Sequence, residues 1–509
     1  MEAFGSFITV FLVVVIVWLF IRSNRRRCTL PGPKGWPLLG VLPYLPKKCY
    51  KYFTELSKQY GDIYCCRLGT TDLIIVSNLD ILDDIYRRRG AIFNNRFLNL
   101  PENIDLPLGF AELHLTDKWD ELRRFTVKVL NKRELGDRSF QELLSDEATQ
   151  LFKHVADSYG TKPFNPSNDI HHCMGNIIFS VMFRKRWAYD DTSLAELLEA
   201  AHTAPQVINP SYYFLIPTFV HYLGRFNFIP MKSMRMVQLA FEKLSGFSDV
   251  EISNHLMNNN STLNPDEEQA HRHFADIFLS TADGKKSKGE QTYMTVNSLK
   301  GVVANLFLGG LDSTATLLMW FILLLLKYQD VQKKAREEVH AITGRERSPT
   351  LTDRDQMSYV NAFIQETHRF VSAAPHGSYH LVSQDTEYDG YFIPKGTHVV
   401  QNLWAIHHDE ANFKDPFVFN PERFIDDEGA FTKSRLVVPY GTGKRICPGE
   451  VLAQRELFLF VATLLQKFDL QPPEGVSPDS ISVEGVYNGA GIYVPDFKVR
   501  FMPLTNPST

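Results

Sequence analysis

One cysteine near the carboxyl end of the chain, Cys447, has the surroundings of a reactive or metal-binding thiol. It lies in the stretch PYGTGKRICPGE (439–450), directly before a segment with a helical pattern, 449–467. Three glycines and one arginine accompany it: Gly441, Gly443, Gly449 and Arg445. Backbone N–H groups at a helix N-terminus and a neighbouring cation favour a thiolate over a thiol. A thiolate held in this way can ligate iron and push electron density through the metal toward O–O cleavage.

Other roles for this loop can be checked against its residues. A phosphate-binding loop needs a glycine five residues before Gly443 and a Ser or Thr after Lys444, but Val438 and Arg445 stand there. A zinc site needs further Cys or His at short spacing. The other cysteines are scattered apart from one adjacent pair: Cys28, Cys49, Cys65, Cys66 and Cys173. The ordinary role of a free cysteine is that of a small buried hydrophobe, and the glycines and the arginine argue against it.

The second candidate for chemistry is a carboxylate inside a long apolar segment, 298–327. Asp312 and the pair Gly309-Gly310 interrupt the apolar run, and a carboxylate is costly in a bilayer. The segment therefore predicts a buried central helix rather than a membrane span. Each glycine in mid-helix costs about 1 kcal/mol relative to alanine, which indicates a kink or the close approach of something flat. Asp312 is either a paired core charge or a functional acid, and the glycine notch favours the acid.

The residues of the cysteine loop resemble the haem-binding signature of the cytochrome P450 mono-oxygenases, Phe-x-x-Gly-x-Arg-x-Cys-x-Gly. The matching positions are Tyr440, Gly443, Arg445, Cys447 and Gly449. The resemblance implies a mainly α fold with small β-sheets (α+β), haem b (iron protoporphyrin IX) as cofactor, and Cys447 as its iron ligand. The single departure is tyrosine for phenylalanine at 440, which keeps an aromatic wall over the sulfur but adds a hydroxyl that needs a partner.

Two further motifs of the family follow at the expected spacing. Glu366 and Arg369 form a Glu-x-x-Arg pair on one helix face, and with Arg423 they resemble the Glu-Arg-Arg network that locks the chain behind the haem. We interpret these three residues as structural. The segment PHGSYH (375–380) has five residues from its proline to its last histidine and most resembles the animal microsomal families of the drug, steroid and fatty-acid type.

The resemblance also assigns residues to the cofactor and to bound dioxygen. It implies that the haem propionates are bound by Trp119, Arg123, His380 and Arg445. On the central helix, the run Asp312, Ser313 and Thr314 resembles the (Ala/Gly)-Gly-x-(Asp/Glu)-Thr-(Thr/Ser) motif that relays protons to dioxygen. Ser313 replaces the usual threonine, and its hydroxyl can do the same work with weaker positioning because it lacks the methyl group.

At the amino end the sequence predicts a membrane anchor. The segment Phe4–Ile21 carries no charge and approaches the ~20 residues that cross a bilayer. A stop-transfer pattern follows it: Arg22, Arg25, Arg26 and Arg27. We expect residues 1–27 to form this anchor, 28–47 a proline-rich hinge and 48–509 one haem-thiolate domain on the cytosolic side. The resemblance implies the endoplasmic reticulum as the membrane, crossed once.

Composition excludes other classes of function. A net charge of -4 without a basic arm argues against nucleic-acid binding. Six cysteines in 509 residues do not form a disulfide scaffold. The polar region 257–291 predicts surface loops rather than a domain boundary.

We therefore predict a membrane-anchored haem-thiolate mono-oxygenase that inserts one atom of O2 into a lipophilic substrate: a sterol, fatty acid, isoprenoid or xenobiotic. No Gly-x-Gly-x-x-Gly follows a strand in this sequence, so electrons must come from a partner. The resemblance implies NADPH-cytochrome P450 reductase of the same membrane, with cytochrome b5 as a second donor. A basic surface could receive it, formed by Arg123, Arg124, Lys128, Lys132, Arg133 and Lys444.

Two other classes of function stay open. A haem-thiolate isomerase or lyase would rearrange hydroperoxides without outside electrons, and the pair Asp312-Ser313 argues against it. A haem or sterol carrier would need neither the thiolate nor the proton relay. The predicted pocket walls are mostly apolar or aromatic and comprise 97–114, 207–214, 305–310, 371–377 and 487–491. Asn305 either contacts a substrate oxygen or faces another helix.

Overall fold

The structure is a computed structural model. It describes residues 27–504 apart from 38, 70, 97–108, 132–136, 192–193, 195–196, 199–241, 244, 255–272 and 490. The predicted membrane span and its first three arginines lie outside the described residues, as do Lys132, Arg133 and the predicted pocket segments 97–108 and 207–214.

Helices form most of the described part of the chain. They are α1 (Cys49–Tyr60), α2 (Leu79–Asp83), α3 (Gly90–Phe93), α4 (Asp117–Asn131), α5 (Asp137–Tyr159), α6 (Ser167–Phe183), α7 (Phe274–Ser287), α8 (Val296–Lys327), α9 (Gln329–Thr343), α10 (Ser358–Val371), α11 (Leu403–His407) and α12 (Glu450–Lys467). Residues 245–254 are also helical. The prediction of a mainly α protein is confirmed.

The described strands form small sheets. They are β1 (Ile63–Leu68), β2 (Thr71–Val76), β3 (His380–Leu381), β4 (Thr386–Tyr388), β5 (Tyr391–Ile393), β6 (His398–Gln401), β7 (Phe468–Gln471), β8 (Val486–Tyr487), β9 (Ile492–Tyr493) and β10 (Arg500–Pro503). The largest sheet has the order β1-β2-β6-β3, and the rest pair as β4-β5, β7-β10 and β8-β9. β2 and β6 are parallel, whereas β3 pairs antiparallel with β6. This pairing fixes His380 opposite Val399.

Helix α8 is the centre of the core. It begins at a capping box in which Thr295 Oγ1 accepts from Ser298 N at 3.1 Å and Ser298 Oγ accepts from Thr295 N at 2.8 Å. α8 packs against α6, α10 and α12. Among the described helices it alone is long and apolar enough to cross a membrane, but 78% of its most apolar window is buried in the protein. The predicted buried central helix is confirmed.

The two glycines of α8 face different surroundings. A Cβ at Gly310 would lie 2.6 Å from Ile178 Cδ1, so the missing side chain lets α6 approach closely. A Cβ at Gly309 would meet no atom within 4 Å. α8 stays helical through both residues. The close approach that the sequence indicates is therefore a helix contact at Gly310, while Gly309 borders open space.

The prediction of loops across 257–291 is wrong for the residues that form α7. His273 caps this helix: its Nδ1 accepts from Asp276 N at 3.4 Å, and Asp276 Oδ2 accepts from His273 N at 3.2 Å. Phe274 and Phe278 are buried against the core. The short apolar segment is visible in the sequence, and the prediction is wrong for the polar residues 281–287, which continue this helix.

A buried ionic network links α10 to the chain around residue 420. The side chains of Glu366 and Arg369 are both 0% exposed and pair at 2.7 Å between Nε and Oε2. Arg423 Nε donates to Glu366 Oε1 at 3.1 Å. Arg369 Nη1 also donates to the carbonyls of His407, at 2.9 Å, and Pro416, at 2.7 Å. These contacts support the structural role predicted for the three charged residues.

Removal of the carboxylate from this network should destabilise the fold strongly. Glu366→Ala leaves Arg369 buried without its partner, and we expect the free energy of unfolding to fall by about 3–5 kcal/mol. Urea unfolding followed by far-UV circular dichroism measures it. Glu55→Ala is the matched control, because Glu55 pairs with Lys58 at the same spacing but both side chains are 68% exposed. It should cost less than about 1 kcal/mol, and an equal loss in both variants would contradict the structural role.

Buried histidines should make the protein labile in acid. Burial lowers the pKa of His376 to about 3 and the pKa of His398 to about 4. The unfolded chain titrates its histidines near about 6.5. Below that pH the unfolded chain binds protons on these histidines, whereas the folded protein does not. The free energy of unfolding is therefore highest above about pH 6.5 and falls as the pH drops toward the folded pKa.

His376→Gln tests this acid lability. At pH 5 one such histidine costs about 2 kcal/mol relative to neutral pH. The variant should therefore lose about 2 kcal/mol less than the parent between pH 7 and pH 5 in urea titrations. Identical pH dependence in the two proteins would show that His376 does not contribute.

Candidate active site

The loop that carries Cys447 is shaped by one tight turn. A 3₁₀ turn, Gly443–Arg445, precedes the cysteine, and Cys447 N donates to Tyr440 O at 3.0 Å. Gly443 has a φ of +80°, and a Cβ there would lie 2.4 Å from Tyr86 O, so only glycine fits. Cys447 itself keeps an exposed surface. The role of a packed hydrophobic residue is therefore excluded for this thiol.

The electrostatics of the thiol differ from the expectation. Burial among protein atoms raises the pKa of Cys447, and the Gly449 N–H and the Arg123 cation only partly oppose this effect. Arg445, expected beside the sulfur, is instead bound to backbone carbonyls: its Nε donates to Asn94 O at 2.9 Å and its Nη1 to Phe110 O at 3.0 Å. Arg123 is the arginine whose charge acts on Cys447, and its Nη2 donates to Ile446 O. A metal bound to the sulfur would favour the thiolate.

Three of the four predicted propionate ligands lie together. The Arg445 guanidinium lies 4.7 Å from the centre of the Trp119 ring, and that of Arg123 lies 5.8 Å from it. Burial, with the neighbouring cations Arg96 and Arg123, lowers the pKa of Arg445 to about 9. Arg445 is buried, Arg96 and Arg123 are half-buried, and the nearby Glu112 offsets part of their charge. Such clustered cations are costly unless further anions accompany them.

Two buried nitrogens at this place, one of them the Trp119 N–H donor, support the same conclusion. Trp119 Nε1 and His380 Nδ1 are buried and have no hydrogen-bond partner within the described structure. His380 also feels the charges of Arg96 and Arg445, which with burial lower its pKa. Cations with free N–H donors suit a ligand that carries carboxylates, so these residues fit the propionates of a haem.

Arg96 is a site residue that the sequence reasoning missed. Its Nη1 donates to Tyr379 O at 2.7 Å, next to His380 in the chain. No recognised motif includes this arginine. The bridge between Asn95 and Leu381 brings Arg96 beside His380, and the hydrogen bond from Arg445 to Asn94 O brings residue 445 to the same place.

The hydroxyl of Tyr440 has a neighbour. Its Oη lies 3.5 Å from His368 Nε2, and the two rings meet edge to face at 5.5 Å. Burial and the Cys447 charge raise the pKa of Tyr440. The tyrosine therefore stays neutral beside the cysteine loop, and His368 on α10 is the partner that its hydroxyl requires.

The predicted relay residues of α8 point in three directions. Ser313 is exposed and its Oγ donates to Gly309 O at 2.6 Å, so both residues border the same open side of the helix. Asp312 is buried and accepts from Tyr493 Oη at 2.8 Å. Thr314 is buried and lies beside Glu456 on α12. Burial raises the pKa of Glu456 to about 8.

Asn305 faces the chain before α4. Its Nδ2 donates to Glu112 Oε1 at 2.7 Å, and its Oδ1 accepts from Ala111 N at 2.9 Å. Burial raises the pKa of Glu112. Ala111 and Glu112 lie in a turn, so the segment that Asn305 contacts is not the helix that the second alternative predicted.

Comparisons with known proteins agree with this site. The family model described as Cytochrome P450 matches residues 30–493. The chain is 32% identical to Cytochrome P450 2F2 of Mus musculus over 467 residues, 91% of each chain. It is 30% identical to Cytochrome P450 2C8 of Homo sapiens over 506 residues, 99% of this chain and 100% of the relative. It is also 30% identical to Cytochrome P450 2C13, male-specific, of Rattus norvegicus, over 97% of this chain. The chain belongs to the cytochrome P450 family, whose α+β fold it forms as one large domain, and it is a haem-thiolate mono-oxygenase.

Proposed function

We propose that this enzyme is a single-pass protein of the endoplasmic reticulum membrane that oxygenates a sterol, fatty acid, isoprenoid or xenobiotic with electrons from NADPH. The observation that carries the proposal is the cluster of buried cations and unused donors around Trp119, close to the accessible sulfur of Cys447. The cations and donors around Trp119 can bind a pair of carboxylates, and Cys447 can supply a thiolate ligand.

Haem b fits these residues. Cys447 would ligate its iron, while Trp119, Arg123, His380 and Arg445 would bind its propionates, with Arg96 as a further cation. Tyr440, Gly443 and Gly449 would shape the loop below the ring. When bound, the haem supplies the activation of O2 and the oxygen transfer.

The residues of α8 supply protons in this proposal. Ser313 presents its hydroxyl on the open side of the helix, one turn after Gly309, whose lack of a side chain leaves room there. Asp312 holds a buried carboxylate one residue away, and Thr314 links the helix to Glu456. A hydroxyl next to an acid can pass a proton without admitting bulk water.

Electrons would come from NADPH-cytochrome P450 reductase, with cytochrome b5 as a second donor. Lys128 and Lys444 are exposed, and Arg124 is exposed while it pairs with Asp120 at 2.8 Å. Cations at the surface steer an acidic partner to its docking site. Lys444 belongs to the same 3₁₀ turn that precedes Cys447, so this surface leads to the thiolate side.

The hinge carries features of a membrane-contacting segment. Trp36 and Tyr44 are 57% and 55% exposed, and Trp36 Nε1 donates to Tyr44 Oη at 2.6 Å. Exposed aromatic residues with polar tips suit the membrane interface. This supports an anchor at 1–27, a hinge at 28–47 and a catalytic domain at 48–509 that faces the cytosol.

A spectral screen identifies the substrate class. Purified full-length protein is titrated with sterols, fatty acids and isoprenoids, and a type I shift of the haem spectrum reports binding. NADPH consumption with added reductase then separates a mono-oxygenase from an isomerase or lyase, which needs no outside electrons.

Cys447→Ser should abolish thiolate ligation. A serine hydroxyl does not replace the thiolate, so we expect loss of the reduced carbon monoxide band and of most bound iron. Cys28→Ser is the control, because Cys28 is a half-buried thiol of the hinge, and it should keep the band. An unchanged band in the Cys447 variant would refute the assignment.

Ser313→Ala should uncouple electron use from product formation. Loss of the hydroxyl removes a proton donor, and product formation should slow by about tenfold or more while peroxide rises. The measurement is peroxide and product per NADPH oxidised, with the first substrate found in the screen. Ser313→Thr should keep the parental coupling, and unchanged coupling in Ser313→Ala would show that residue 313 does not deliver protons.

A further inference from the structure

The carboxylate of Asp312 is held from two sides by residues outside its own helix. Tyr493 Oη, on β9, donates to its Oδ2 at 2.8 Å. His171 Nε2, on α6, lies 3.5 Å from its Oδ1. The side chains of His171 and Asp312 are only 10% and 9% exposed. Neither His171 nor Tyr493 belongs to a motif of the sequence analysis.

The other ring nitrogen of His171 settles where its proton lies. Nδ1 lies 2.7 Å from Ser167 O. A carbonyl oxygen only accepts, so Nδ1 carries hydrogen. In the neutral imidazole Nε2 is then an acceptor, and it faces a carboxylate oxygen, which is also an acceptor. This contact is favourable only when one more proton lies on the pair, either on His171 or on Asp312.

Other titratable groups around the pair have partners of their own. On α6, Asp169 pairs with His154 of α5 at 3.2 Å, and His172 stacks on Tyr189 at 4.7 Å. On α8, Thr314 lies beside Glu456 of α12. Tyr493 remains a neutral donor, because burial and the Asp312 charge raise its pKa. Among the described groups, the extra proton therefore belongs to His171 and Asp312.

We propose that His171 and Tyr493 are positioning residues for Asp312, and that the His171–Asp312 pair stores one proton for the Ser313 hydroxyl. This inference rests on the proposed role of α8 in proton supply. When Ser313 gives up its hydroxyl proton, the pair replaces it and becomes neutral imidazole plus carboxylate. The pair then regains one proton from solvent water, so charge and atoms balance over the cycle.

The test uses the full-length haem protein with O2 and carbon monoxide as its only probes. After reduction by dithionite and mixing with O2, the rate of return to the oxidised spectrum is measured between about pH 6 and 8.5, where histidine titrates. The C–O stretching frequency of the reduced carbon monoxide complex reports the polar surroundings without turnover. The variants are His171→Ala, His171→Gln and Tyr493→Phe, with His172→Gln as the matched control, since it is a buried histidine on the same helix.

Loss of the imidazole should affect both readouts. His171→Ala should slow reoxidation at low pH by about tenfold, flatten its pH dependence and shift the C–O frequency. In His171→Gln the amide can still donate to Asp312, so the C–O frequency should return toward that of the parent while the flat pH dependence remains. Tyr493→Phe should shift the frequency and keep the pH dependence. His172→Gln should match the parent in both.

Equal behaviour of the His171 and His172 variants would overturn the inference. If His171→Ala does not fold, the glutamine variant decides, because a parental pH dependence there removes the proton store. A parent protein without a reduced carbon monoxide band would instead refute the proposed function. The two failures are therefore distinguishable.

Discussion

One helix has to satisfy two opposite demands in this protein. Most of the apolar surface of α8 is buried in the core of the protein. Yet Gly309 and Ser313 keep one strip of the same helix open. Side chains four apart share a face, so a single open strip can coexist with three packed ones. The site lies at this open strip, because α6, α10 and α12 cover the other faces of α8.

Charge imposes the second constraint. Arg445, near Trp119, is buried at a cost that the backbone carbonyls of Asn94 and Phe110 offset only in part. A carboxylate-bearing cofactor would complete that balance, whereas the ion network of Glu366 is already complete within the protein. In the sequence, both clusters are visible only as arginines at the spacing of a family motif. The clusters differ in their partners. The arginines of the Glu366 network are paired within the protein, whereas those near Trp119 could still bind a carboxylate of a ligand.

The sequence was informative where a local pattern carries the physics. The apolar run of α8, the start of α12 after Gly449 and the glycine at 443 follow from periodicity and backbone freedom. It was uninformative where tertiary contacts decide. The polar residues 281–287 continue α7, Arg445 bonds carbonyls rather than standing beside the sulfur, and Arg96 joins the site through the bridge between Asn95 and Leu381. The clamp on Asp312 likewise joins residues 171, 312 and 493, which no local pattern connects.

The contact of Gly310 with Ile178 limits how this fold can diverge. A methyl group at 310 would lie 2.6 Å from the isoleucine side chain, so volume can be added on one helix only if it is removed from the other. In a descendant of this sequence, a larger residue at 310 would require a smaller residue at 178 or a shift of α6 as a whole. Since α6 also carries His171, drift at this one contact would displace a histidine two turns away. Evolution of substrate range is therefore freer in the loops than along this helix pair.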